Sequence, residues 1–260
     1  MTRQDDTRDS YTMTGLQRGL AVLETLAEAR RPLSPADIAK RLDLTRGVIF
    51  RILHSLRALG FVREIESGKL YVPGPRVLSL GFGYLRAMPL VDIARPHLEA
   101  LREAVQASTQ LAVLDGTDIT YLSRYPSRTG IVTYLGPGDR APAHATTIGR
   151  ALLSLLPPDT VRAMYRSVPL SRHSASTATD IETLLDRLAK DRENGFVLNY
   201  SGLHEGIASI AAPIRDGSGA GVAGINITAF EPSIVRATFE TETRDRVMLA
   251  ARAISADLGA

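Results

Sequence analysis

The apolar positions of the first seventy-odd residues predict three helices and a hairpin. From Leu16 they recur at helical spacing through Leu20, Leu23 and Ala27, with Gly19 and Leu26 beside them, until Arg31-Pro32 ends the run. A second helix is expected at Ser34-Pro35. Ser34 can accept a backbone N–H, Pro35 suits the first turn, and Asp37 stands where a short-armed capping box needs it. Ile38, Ala39 and Leu42 form its buried side, and Asp43-Leu44 reads as a short turn. Thr45 then caps a third helix, whose stripe is Ile49, Ile52, Leu53, Leu56 and Leu59 and whose stop is Gly60. Two β-prone runs, 61–65 and 70–72, flank Glu66-Ser67-Gly68-Lys69, a hairpin signal.

Three helices and a hairpin make a winged helix-turn-helix over 13–74. Residues 1–12 read as a flexible, solvated tail. Pro73-Gly74-Pro75 closes the winged unit. A helix over 76–87, punctuated by Met88-Pro89, gives a linker at 75–89. The remainder, 90–260, alternates helices and strands, so the fold class is α+β. A helix is expected over 90–108, with Ile93, Leu98, Leu101 and Val105 inward. Strands at 110–114 and 119–123 flank the tight turn Asp115-Gly116-Thr117-Asp118, and 130–135 is another β-prone run. Helices follow at 146–156, 159–166 and 180–194, the last ended by Gly195. Strands at 196–200, 208–214 and 222–229 lead to a final helix over 232–258.

Composition narrows the function. The chain has 260 residues, 44% hydrophobic and 23% charged, which excludes a wholly disordered protein. It has no cysteine, which excludes disulfides, thiolate catalysis and Cys-based zinc sites and suits a reducing cytoplasm. No run of eighteen apolar residues exists, so no membrane partner is expected; the polar start, MTRQDDTRDS, shows no signal segment. Residues 1–76 carry 13 Lys and Arg against 9 Asp and Glu; residues 77–260 carry 18 against 19. The positive excess thus sits with the winged helix.

If the stripe of the third helix faces the core, the opposite face carries Arg46, Gly47, Phe50, Arg51, His54 and Arg57. Arginine there can bridge guanine O6 and N7 or neutralise phosphate, and Gly47 permits close approach. Thr45 can donate to a phosphate oxygen; Arg63 and Lys69 on the wing, and Arg18 on the first helix, can hold the backbone.

Other motifs carry less. Residues 219–224 spell G-x-G-x-x-G but lead into a β-prone run, so they read as a hairpin turn rather than a dinucleotide site. His144 and His204 are too isolated for a metal site, Asp115 and Asp118 are simplest as turn formers, and no nucleophile elbow appears. No cofactor and no catalytic residue are expected.

Three blocks carry a resemblance. Residues 15–62, with KLYVPGPRVLSLG after them, HATTIGRALLSLLP at 144–157 and GIASIAAPIRDGSGAGVAGINITAF at 206–230 resemble the IclR family of bacterial transcriptional regulators. The match runs from about residue 13 to 258. The stretch RYPSRTGIVTYLGPGDRAPAHATTIGRALLS is similar to the branch that controls catabolism of aromatic acids, including the β-ketoadipate route. The resemblance implies a linker helix that mediates dimerisation, a C-terminal GAF-like effector domain, homodimers or dimers of dimers on palindromic promoter DNA, and small organic acids as effectors. It places effector contacts at the backbone of Thr147 and Ile148. On the facing strands it places them at Ser209, Asn226 and Thr228, which alternate with apolar residues. Leu135, Ile148, Leu152 and Ile210 could form apolar walls. One segment departs from the family pattern: 199–205 lacks the usual acidic run, and Ala208 replaces an arginine. The competing readings are a small-molecule-processing enzyme with a winged-helix interaction domain, and a module whose winged helix binds protein.

Overall fold

In the computed structural model, which describes residues 12–66, 68–128 and 135–260, the chain divides into two compact units between Ala87 and Met88. The first unit contains α1 (Thr14–Glu28), α2 (Pro35–Leu42), α3 (Arg46–Ala58), β1 (Val62–Ile65), β2 (Leu70–Pro73) and α4 (Arg76–Arg86). A full capping box starts α2. Ser34 Oγ accepts the Asp37 N–H at 3.1 Å, and the Asp37 carboxylate accepts the Ser34 N–H at 3.2 Å. Asp43 turns the chain into α3 through a left-handed conformation (φ 51°), which Asp tolerates better than most side chains. Leu33 exchanges backbone hydrogen bonds with Tyr71, so the hairpin gains a third strand-like neighbour.

Val22, Leu26, Leu33, Ile38, Ala39, Ile49, Leu53, Val62 and Tyr71 form one core. Two expectations need correction. Burial on α1 is confined to Val22, Thr25 and Leu26 in its second half. Leu16 and Leu20 are 60% and 52% exposed, Ala27 is exposed and Leu23 is half-buried, because no described residue of this unit covers the first half of the helix. Leu59, at the C-cap of α3, points to solvent, and Ile49 and Leu53 carry the contact instead.

The second unit is built on a six-stranded antiparallel sheet of order β5-β4-β3-β8-β7-β6. Its strands are β3 (Ser108–Asp115), β4 (Asp118–Tyr125), β5 (Arg140–Pro142), β6 (Val197–Tyr200), β7 (Ile207–Arg215) and β8 (Gly221–Phe230). One face is covered by α5 (Pro89–Val105) and the C-terminal helix Arg244–Asp257. Thr109 Oγ1 donates to the Leu98 carbonyl at 3.0 Å, and Ser255 Oγ accepts the Arg215 N–H at 3.0 Å. The other face carries α6 (Thr147–Leu153), α7 (Pro158–Met164) and α8 (Ile181–Asn194).

Several boundaries differ from expectation. Gln106 adopts a left-handed conformation after α5, so Ser108 opens β3 rather than closing a helix. Leu90, Ala94, Leu98 and Leu101 are the buried face of α5, while Ile93 and Val105 are half-buried. The last helix is interrupted. A 3-10 turn at Glu231–Ser233 and a short turn Arg236–Thr238 precede a π-helical stretch, Phe239–Thr243, before α9 (Arg244–Asp257). The π stretch seats the buried Phe239 ring 6.2 Å from that of Tyr200. The glycine-rich run at 219–224 ends the β7–β8 turn and opens β8, with the Asp216 carboxylate accepting the Ser218 and Ala220 N–H groups in the turn. The expected run at 130–135 lies outside the described residues apart from Leu135, which belongs to no strand.

The register of β3 and β4 slips once. Leu111 faces Ser123, whereas Ala112 faces Tyr121, so Leu122 is an extra residue. Beyond that bulge the faces of β4 exchange, and Arg124 stands opposite Gln110.

Candidate functional site

Two separate surfaces carry chemistry. On the first unit, burial of Ile49 and Leu53 leaves Arg46, Gly47, Phe50, Arg51, His54 and Arg57 exposed along α3. Thr45 holds the N-cap position, but its side chain makes no cap hydrogen bond, contrary to the expected capping role. Its hydroxyl is therefore not spent on the helix end. Phe50 is 52% exposed, an unusual position for a large aromatic unless a partner covers it. Arg51, His54, Arg57 and Tyr71 line a shallow groove with it. Arg57 differs from its neighbours: it pairs with Glu64 on β1, which ties the C-terminal end of α3 to the wing. Arg63 and Lys69 are exposed on the hairpin, and Arg18 is exposed on α1. Arg76 fixes the exit of the hairpin, donating to the Leu59 carbonyl at 2.9 Å and lying over the Phe61 ring.

On the second unit, a cavity of about 50 Å³ lies between the sheet and the start of α6. The helix is placed tightly. A Cβ at Gly149 would fall 2.2 Å from the Ala143 carbonyl oxygen, and one at Gly224 would fall 2.9 Å from Ile148 Cγ2. Only glycine allows α6 to sit this close to both the preceding turn and β8. Thr146 caps α6 by accepting the Gly149 N–H at 3.1 Å. The N–H groups of Thr147 and Ile148 belong to the helix start, where no preceding turn supplies carbonyls.

Cross-strand register assembles the floor. Thr228 faces both Ser108 and Ser209, and Ser209 faces Asn199; Asn226 faces Gln110. Ser209 is the hub. It donates to the Ile227 carbonyl at 2.8 Å, accepts from Asn226 Nδ2 at 3.1 Å and lies 2.8 Å from Thr147 Oγ1. Its one proton is taken by Ile227, so Thr147 is the donor in that contact. Asn226 Oδ1 and Thr228 Oγ1 are buried and have no hydrogen-bond partner among the described residues. Tyr121 closes one side; burial, with Asp139 nearby, pushes its phenol up to about 12, so it remains protonated.

Leu135, Thr147, Ser209, Asn226 and Thr228 thus lie on the cavity wall. The walls expected from Ile148, Leu152 and Ile210 do not form. Ile148 and Leu152 turn toward Gly224 and fill the helix–sheet interface. Ile210 alternates with Ser209 on β7 and so faces away from the cavity. Sequence reasoning missed Gln110, Tyr121, Asn199, Leu203 and His204. Three of these come from 199–205, the segment that departs from the family pattern. Gln110 had a readable signal, as a polar residue in a run of buried neighbours. Ala208 faces away from the cavity, so the missing arginine removes nothing from its wall. His144, just before α6, is buried 3.0 Å from the Ser171 carbonyl and beside the rings of Tyr165 and His173.

Among the described residues no single helix is long and apolar enough to cross a membrane. Comparison with known proteins places both units. Residues 15–66 match the IclR helix-turn-helix domain, and residues 82–256 match the bacterial transcriptional regulator IclR C-terminal domain. The chain is 32% identical over 247 residues to the Pca regulon regulatory protein of Pseudomonas putida, covering 95% of this chain and 84% of that protein. A transcriptional regulator from Rhodococcus sp. RHA1 superposes with a TM-score of 0.80 at 33% identity, covering 95% of this chain and 98% of that one. An IclR homologue from Microbacterium hydrocarbonoxydans, solved with 4-hydroxybenzoate, gives 0.78 at 28% identity, covering 94% and 99%. These relatives are regulators, which sets aside the enzyme reading. The protein belongs to the IclR family of DNA-binding transcriptional regulators.

Proposed function

We propose that this regulator controls catabolic genes in response to a small organic carboxylate held in the cavity beneath α6. The observation that carries the reading is the pair of buried, unsatisfied oxygens on Asn226 and Thr228, in a chamber otherwise provided with neutral donors. Such groups are costly unless something bonds to them. The Thr228 hydroxyl, the Tyr121 phenol and the N–H groups at the start of α6 can donate to an anion. Asn226 Oδ1 can accept a hydroxyl proton from the same molecule. The space is small. An apolar cavity of about 150 Å³ takes up benzene, so an aromatic acid enters only when the lining gives way. The Microbacterium homologue holding 4-hydroxybenzoate favours that class.

In this reading residues 13–74 bind DNA, 75–89 form the linker helix and 90–260 sense the effector. The N-terminal half of α3 enters the major groove, with Arg46 and Arg51 reading bases and Arg18, Thr45, Arg63 and Lys69 holding phosphates. Arg57, already paired with Glu64, contributes least. No residue of α4 is buried, and Leu78, Leu80, Phe82 and Tyr84 are all more than half exposed, which suits self-association into a homodimer or dimer of dimers on palindromic promoter DNA. The cysteine-free composition suits a cytoplasmic protein. Effector binding shifts affinity for DNA only if it prefers one dimer arrangement over the other.

The test is operator affinity. Replacing Arg46 or Arg51 with Ala should weaken binding to the upstream DNA, since one bidentate base contact is worth about 1–3 kcal/mol. Unchanged affinity in both variants would overturn those assignments.

A further inference from the structure

We propose that Arg124 supplies the positive charge that pairs with the effector's carboxylate and so selects acids over neutral molecules of the same shape, an inference that rests on the effector reading above. Among the described residues no Lys or Arg lines the cavity. An anion enclosed by neutral groups alone is poorly compensated. Strand register brings a cation to the edge of this chamber. Arg124 stands directly opposite Gln110, and Gln110 directly opposite Asn226, so the three share one face of the sheet. Gln110 and Asn226 both line the cavity. Paired residues of adjacent strands have Cβ atoms about 5 Å apart, so Arg124 is the next position along that row.

The bulge at Leu122 creates the placement. Plain alternation from Ile119 and Tyr121 would put Ser123 on the cavity face and send Arg124 to the opposite one. With Leu122 extra, Tyr121 and Arg124 share the face instead. Arg124 is half-buried, and its Nε is buried with no hydrogen-bond acceptor among the described residues. A guanidinium with its Nε edge unmet matches a carboxylate, which bridges Nε–H and one Nη–H through two parallel bonds. A carboxamide offers one carbonyl oxygen and no charge, and cannot make that pair.

The experiment measures calorimetric affinities of the full-length protein for two matched pairs, benzoate with benzamide and propionate with propionamide. The wild-type protein should bind at least one acid roughly ten-fold tighter than its amide, the worth of a hydrogen bond to a charged group. Arg124→Gln should lose that preference by losing acid affinity while keeping its affinity for the amide. Arg124→Lys, which keeps charge without the fork, should fall between, and it decides the matter if the Gln variant does not fold. If the wild type prefers the acid and both folded variants do so equally, Arg124 is not the partner and only this inference fails. If the wild type binds none of the acids, the effector reading and this inference fail together.

Discussion

Ser209 Oγ lies 2.8 Å from Thr147 Oγ1 and 2.8 Å from the Ile227 carbonyl, so one hydroxyl joins the start of α6 to β7 and β8 beneath it. Removing it takes the acceptor from the Thr147 hydroxyl and from the Asn226 amide at once. We predict that Ser209→Ala lowers stability by about 1–3 kcal/mol, the penalty of a buried group left unsatisfied, and weakens effector binding. Urea denaturation and calorimetry check the two effects; a variant as stable as wild type would show that the hub is not needed to hold α6.

Two helical glycines should respond to the same substitution in opposite ways. Gly47 on α3 has no atom within 4 Å of the place a Cβ would occupy, whereas Gly149 on α6 has the Ala143 carbonyl oxygen at 2.2 Å. Gly47→Ala therefore gains up to about 1 kcal/mol of helix propensity, at the cost of a methyl group aimed at the DNA. Gly149→Ala loses about 1–3 kcal/mol through overpacking. Melting temperatures should rise for the first and fall for the second, and operator affinity should fall for the first.

Arg150 on α6 and Asp191 on α8 form a buried bidentate pair, with bonds of 2.9 and 2.7 Å. Their side chains are 10% and 7% exposed. Asp191→Asn leaves a charged guanidinium with half a partner, and breaking such a pair costs about 3–5 kcal/mol. Chemical denaturation gives the number; a loss under 1 kcal/mol (about a five-fold change in the folding constant) contradicts the assignment.

His144 links pH to stability. Burial holds its imidazole pKa below the ordinary 6.5, against the opposing pull of its bond to the Ser171 carbonyl; nearby His173 adds to the lowering and Asp118 opposes it. A base with a depressed folded value binds fewer protons folded than unfolded, so its contribution is present above pH 6.5 and is lost as pH falls through the folded value. Stability should decline below pH 6.5 and level off once His144 is charged in both states. His144→Gln, which keeps a donor for Ser171, should flatten that decline in denaturation curves taken at a series of pH values.

Much of this was legible in the residues. The capping box at Ser34, the stop at Gly60 and the tight turn between β3 and β4 follow from local chemistry that tertiary contacts do not override. The α3 face was readable because Ile49 and Leu53 fix the opposite side. The cavity was only half readable. The family resemblance pointed to Ser209, Asn226 and Thr228, and their alternation with apolar residues agreed with it, but Leu152 and Ile210 were assigned to walls by polarity alone, and only packing shows which face each takes. The Leu122 bulge has no sequence signature, yet it decides where Arg124 stands. The exposed leucines of α1 misled for a related reason: periodicity shows that a helix has an apolar side, not whether its own unit covers it.

The most direct measurement is fluorescence anisotropy of the full-length protein on its own upstream intergenic DNA at modest ionic strength, titrated with and without benzoate, 4-hydroxybenzoate and short-chain acids. The account predicts specific binding in one condition and a shift of about five-fold or more in apparent Kd with at least one acid, the range expected of coupled sites. Failure to bind that DNA in every condition, or binding indifferent to every acid while calorimetry shows the acid bound, would contradict it.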